Sequence, residues 1–207
     1  MRTVPGWGVV TSAAAPVLLI GGWTLAARLQ PGQFDQVSGT ISALAADDAA
    51  HRWVMTTALV GVGAAHVGTA LALRPAAPIA RLLLATGGVA TVLVAANPLP
   101  AGGGPASEHA LAAGVAFVAL ATWPALSRRH RPTAPDPRPL SPFRPAVALA
   151  AAGVLIGVLG WFFTELTQDT DRVGLSERAA AGTQALWPLA AVLLARRSGR
   201  RAGQRAN

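Results

Sequence analysis

The sequence predicts an all-α protein: a polytopic membrane helix bundle with six transmembrane helices and a short interfacial helix in the first outer loop. Three observations carry that expectation. Long stretches lack charged side chains, the arginines alternate from loop to loop, and the composition is too poor in charge to cover a soluble surface. Charged residues make up 13% of the chain, against about a quarter in an ordinary soluble domain.

Six runs contain no Asp, Glu, Lys or Arg: 3–27, 53–73, 82–107, 110–127, 145–164 and 179–195. Crossing a bilayer takes roughly 20 apolar residues in a helix. Backbone groups in hydrocarbon must be paired within the segment, and the alternation of barrel strands is absent, so the runs read as helices. Helices are expected at about 7–28, 52–73, 79–97, 108–126, 145–164 and 176–195, in one transmembrane domain covering 1–207. Leu175 and Ser176 extend the last and shortest run.

The arginines orient the bundle. Arg2, Arg74, Arg81, Arg128, Arg129, Arg131, Arg138, Arg144 and the tail Arg196, Arg197, Arg200, Arg201 and Arg205 share one side with a single acid, Asp136. Arg28, Arg52, Arg172 and Arg178 lie on the other with the remaining acids. The positive-inside rule then puts both termini in the cytoplasm and the protein in the inner cell membrane as a multi-pass protein. Trp7 and Trp123 at one boundary, and Trp23, Trp53 and Trp161 at the other, match an interfacial belt. Trp187 does not; it adjoins Pro188, which removes the N–H that would pair with the carbonyl of Gln184.

Composition also excludes several classes. The net charge of +8 is carried by arginines flanking apolar runs, with no continuous basic face, so no nucleic acid is expected as a partner. The absence of cysteine excludes disulfides and thiolate metal sites. With no lysine or tyrosine and abundant Ala, Gly and Pro, the usage is that of a GC-rich, bacterial coding sequence. The first helix has signal-peptide features in Arg2 and Ala26-Ala27, but its uncharged run is long for one, and retention is expected. The segment 131–145, with six prolines, is expected to be an extended cytoplasmic linker. The small pairs Gly153/Gly157 and Gly61/Ala65 suit close helix packing within the bundle or between copies.

Polar residues collect on the outer side. In the first outer loop Val37, Ile41 and Leu44 fall at helical spacing behind Asp35, a capping residue, with Ser38 and Ser42 on a neighbouring face. Either serine serves as nucleophile or ligand donor, or both are local backbone partners. Ser107 is an N-cap candidate for the fourth helix, with Glu108 and His109 behind it; His109 is a candidate base or an ordinary interfacial histidine. Glu177 and Arg178 open the sixth helix, as a structural ion pair or as a clamp on an anionic head group. His66 lies inside the second helix, where an ionisable group is either functional or bonded to a neighbouring helix. His51, Asp47 and Asp48 lack a metal-ligand pattern, and neither a metal nor another cofactor is expected. Ser42, His109 and Glu177 are therefore the catalytic candidates, and Asp35, Ser38, Arg178 and His66 the ligand-binding ones.

Three segments carry a family resemblance: Asp35 through Leu44, especially Thr40-Ile41-Ser42-Ala43-Leu44; a proline-containing loop leading to His109; and Gly174-Leu175-Ser176-Glu177-Arg178. In these the chain resembles the domain-of-unknown-function 998 family of bacterial membrane proteins, whose members often carry an acid where this chain has Ala43. The resemblance implies a six-helix membrane protein and brings no established activity. Three functions stay open: a lipid- or small-molecule-handling protein with an outer-leaflet-facing site, including a membrane hydrolase or transferase; a transporter-like bundle; or a structural or assembly factor. The partner common to all three is the lipid bilayer. Buried polar residues converging in one pocket favour the first, and a polar path past His66 the second.

Overall fold

The computed structural model describes residues 3–102, 106–128, 141–168 and 170–204, with backbone alone over 198–204. Most of the proline-rich segment expected as a linker lies outside the described residues. Among the described residues there are six α-helices and no strand: α1 (Trp7–Arg28), α2 (Trp53–Ala72), α3 (Pro78–Ala96), α4 (Ser107–Thr122), α5 (Pro145–Thr167) and α6 (Val173–Gln204). Five of them, α1 to α5, are long and apolar enough to cross a membrane, α4 counted with the 3-10 turn that follows it.

Local chemistry sets the boundaries. Pro78 and Pro145 open α3 and α5, where the missing N–H has no intrahelical partner to lose. At the other end of α4 the chain tightens into a 3-10 helix, Trp123–Leu126, around Pro124. Ser107 does not cap α4. It is the first helical residue, Ala106 holds the cap position, and the Ser107 hydroxyl donates instead to Oε2 of Glu108 at 3.0 Å. The first loop also departs from expectation. In place of an interfacial α-helix it forms a turn around 36–38 and a four-residue 3-10 helix, Ser42–Ala45. The reason is competition for its amides. Val37 donates to Oδ1 of Asp35 at 2.8 Å, and Ile41 donates to Glu177, so neither is available for a helical ladder.

Helices α1 to α4 pack in chain order, and α6 lies against both α1 and α5. The interior is built largely from Ala and Gly, while large apolar residues such as Val10, Val17, Leu82, Leu111 and Val154 face outward and exposed. That inversion suits a surface solvated by lipid, where association rests on close backbone approach and not on burial of bulky side chains. The α2–α3 pair illustrates it. A Cβ on Gly63 would overlap the carbonyl oxygen of Gly88, and one on Gly88 would sit 2.6 Å from that of Gly63. The segment before α1 and the later part of α6 meet at one end, where Nη1 of Arg196 donates to the carbonyl of Val4 at 3.1 Å. A cluster including Val4, Leu73, Leu84, Leu120, Trp123 and Val192 fills that end.

The two kinds of glycine separate experimentally. Gly63→Ala meets immovable backbone and should cost about 1–3 kcal/mol, the range for overpacking. Gly153→Ala points into open space on α5 and should leave stability unchanged or slightly higher. Thermal unfolding of the two variants in one detergent checks the contrast; equal melting temperatures would refute the close α2–α3 packing.

Candidate functional site

At the end of the bundle away from the termini, the loop after α1 is held by the first turn of α6. The loop has few helical bonds of its own, yet its peptide groups still need partners. Asp35 supplies some locally, accepting from the Val37 amide and from the Ser38 hydroxyl at 2.7 Å. These two donors hold its carboxyl below the ordinary aspartate range. Gly174 and Leu175 supply others. A Cβ at Gly174 would overlap the Gly39 carbonyl, and the Leu175 amide donates to the carbonyl of Val37 at 2.8 Å.

Glu177 and Arg178 complete the attachment in opposite senses. The carboxylate accepts from the Ile41 amide at 2.5 Å and the Ser42 hydroxyl at 3.2 Å. Nη1 of Arg178 donates to the carbonyls of Gln36, Gly39 and Gly174 at 2.9, 2.6 and 3.0 Å. Its guanidinium also lies 6.0 Å from the Trp23 ring centre and 5.9 Å from that of Phe34, within cation–π range. Arg178 thus clasps backbone and aromatic rings, with no part in lining the cavity described below.

Ser42 joins this attachment to α4. Its Oγ lies 3.1 Å from Nε2 of His109, whose Nδ1 lies 2.8 Å from the carbonyl of Asn97. A carbonyl only accepts, so Nδ1 carries the proton, and in the neutral ring Nε2 is the acceptor. The Ser42 hydroxyl consequently stands between two groups able to take its proton, His109 and Glu177. With one proton to give, the hydroxyl donates to one or the other, and the row of polar contacts runs from the end of α3 through α4 and the first loop to α6. His109 and Glu177 are both buried in it.

Ser42 and Glu177 also line a cavity of about 70 Å³. Its walls are mostly apolar and include Leu19, Leu59, Val62, Val94 and Phe117, and its far end reaches His66 and Gln184. From Glu177 to Gln184 is seven residues of α6, about 10 Å along the axis. The side chains of His66 and Gln184 are each 1% exposed, and Nδ1 of the one and Oε1 of the other have no hydrogen-bond partner.

Of the residues singled out by sequence, Ser42, His109 and Glu177 therefore stand in contact, and His66 belongs to the same cavity from below. Asp35 and Ser38 bond to each other on the exposed side of the loop and do not line it. Asp47 pairs with Arg52 at 2.7 Å, Asp48 accepts from the Gly102 amide at 3.2 Å, and His51 occupies an exposed turn with φ 52°. Two participants escaped the sequence reading. Asn97 acts through its backbone carbonyl, which no side-chain pattern reveals. Gln184 carried a usable signal, as the amide side chain in an uncharged membrane run.

Arg178→Met retains most of the apolar stem and removes the donors to three carbonyls. It should destabilise the fold by about 1–3 kcal/mol and speed amide exchange at Gly39 and Leu175. Protection of both amides at the wild-type level, read by hydrogen–deuterium exchange, would show that Arg178 does not hold the loop.

No curated protein matches this chain, and no solved structure does. A family model does match, covering residues 13–194, nearly the whole of the helical bundle. With that match spanning all three site-bearing segments, the chain belongs to the family described as "Protein of unknown function (DUF998)".

Proposed function

We propose that this protein handles a lipid or other small amphiphilic molecule at the outer leaflet of the inner cell membrane. Its polar part sits at Ser42, His109 and Glu177, and its apolar part in the cavity they border. The bundle in this reading has six spans in one domain, α6 being the sixth, with both termini cytoplasmic; the loop-by-loop arginine asymmetry supports the orientation. One observation carries the functional reading. The hydroxyl bonded to His109 is also a wall of the apolar cavity, and an apolar pocket with a few convergent polar groups is the usual form of a small-molecule site. The apolar cluster at the termini end argues against a polar path continuing through the bundle. The cavity's volume suits a molecule of a few heavy atoms or part of a longer chain.

A hydrolase or transferase is the second reading, favoured by the 3.1 Å separation of Ser42 Oγ and His109 Nε2. In that reaction Oγ bonds to an ester carbonyl carbon as its proton passes to Nε2, which then protonates the departing alcohol; a water or second alcohol releases the acyl group. Two amides near Ser42 are already committed, Ile41 to Glu177 and Ala43 to Oγ1 of Thr40 at 3.0 Å. A developing oxyanion would need donors from elsewhere, which ranks this reading below binding.

Two measurements test these proposals. A short diazirine-bearing alcohol should photolabel cavity-lining peptides of α4 and α6, with labelling reduced several-fold in Ala113→Leu, which narrows the cavity; labelling unaffected by that change would count against the pocket. An alkyl fluorophosphonate separates the readings: modification of Ser42 that His109→Ala abolishes establishes catalysis, and photolabelling without modification establishes binding alone.

Orientation has its own test, since the chain contains no cysteine. Cysteines at Gln36 and Gln168 should react with an impermeant thiol reagent on intact cells, and one at Arg128 only after lysis. Labelling of position 128 from outside would reverse the topology.

A further inference from the structure

The far end of the cavity has its own chemistry. Gln184 donates through Nε2 to the carbonyl of Phe117 at 3.1 Å. Because that carbonyl can only accept, the amide orientation is set and Oε1 is the atom left over. It is buried without a partner, as is Nδ1 of His66, and both residues line the same narrow cavity. Thr91, the other hydroxyl there, already donates to the carbonyl of Gly87 at 2.8 Å. A buried polar atom left unpaired is costly, more so in a membrane interior where water is scarce. Two side chains that line one small cavity and each keep an unpaired polar atom describe a ligand more than a packing defect.

We infer that the cavity floor, between His66 and Gln184, is a binding site for the hydroxyl group of a small neutral molecule. A hydroxyl donates to Oε1 of Gln184 and, through its oxygen, accepts from His66 when Nδ1 carries the proton. A lone carbonyl or ether has nothing to give Oε1. A cation meets no carboxylate at this depth, since Glu177 stands at the opposite end, and an anion meets no arginine among the cavity-lining residues. The inference rests on the preceding reading that the cavity takes up an amphiphile, and it specifies that molecule: apolar through its middle, with a hydroxyl at the end that lies deepest. The same hydroxyl chemistry is available to water, and the experiment separates the two.

The probe pair is trifluorobutanol and trifluorobutane, observed by fluorine NMR with the full-length protein in nanodiscs. Binding of the alcohol at least about tenfold tighter than the alkane is expected, the equivalent of one buried hydrogen bond. Gln184→Leu, close in volume and without the acceptor, should remove that preference and leave the alkane's affinity unchanged or improved. A shift of the His66 ring nitrogens on adding the alcohol should accompany binding. Equal affinity for the two probes in the wild type, which needs no variant, would overturn the hydroxyl site while leaving an apolar pocket intact. A preference that survives Gln184→Leu, or His66 signals that respond to neither probe, would assign the floor to water and overturn it as well. Ala113→Leu blocking both probes, with the alcohol preference otherwise present, distinguishes loss of the cavity from loss of its floor.

Discussion

Everything at the site end of this bundle hangs on a pair of adjacent, opposite charges at the start of α6. The first loop presents both kinds of backbone group, amides at Ile41 and carbonyls at Gln36 and Gly39, and no one side chain satisfies both. Glu177 accepts from the first kind and Arg178 donates to the second. Charge-assisted bonds of this sort are stronger than neutral ones, and neighbouring charges soften the cost of burying each. Gly174 is part of the same device, because only a residue without Cβ lets the α6 backbone come this close to Gly39. Were either charge removed, the loop would lose one class of partner and Ser42 its position over His109.

The clasp explains why Ser42 stands where it does, and helix composition explains the space beneath it. Alanine and glycine let α1, α2 and α3 approach closely, as Gly63 and Gly88 do, but small side chains fill volume poorly where backbones diverge. Around α4 and α6 the gap is lined by Ala113, Ala116, Ala181 and a few larger apolar groups. Toward the termini it closes, because Trp123, Leu84 and Leu120 supply the bulk that alanine does not. A chamber with one polar end near the surface and one polar end deep inside is thus a product of where the large residues were placed.

How much of this was legible in the sequence follows from range. Helices showed because a membrane imposes a local rule: each charge-free run had to be helical, whatever its neighbours. The first loop was misjudged by the same local logic. Val37, Ile41 and Leu44 have helical spacing, but Glu177, far along the chain, takes the Ile41 amide, and Val37 ends up exposed while Ile41 and Leu44 are buried. For the site, sequence supplied residue types in three separate loops, and their contact depends on long-range bonds that no spacing encodes. His109 is held by the backbone of Asn97, and a backbone carbonyl has no signature at all.

Depth gives the last constraint. Pro188 follows Gln184 by one helical turn in α6, and without an N–H it deprives the Gln184 carbonyl of its ordinary helical donor. The side chain of the same residue has an unpaired oxygen of its own. The polar break in an otherwise apolar stretch of helix therefore falls at one turn, level with the end of the cavity that His66 of α2 also lines. A helix that needed only to cross the membrane would gain nothing from proline and glutamine there, and leucine at both positions would pair more backbone and strand no acceptor. A glutamine at the floor of the cavity is the pattern expected where a side-chain acceptor answers to an occupant and not to the bundle itself.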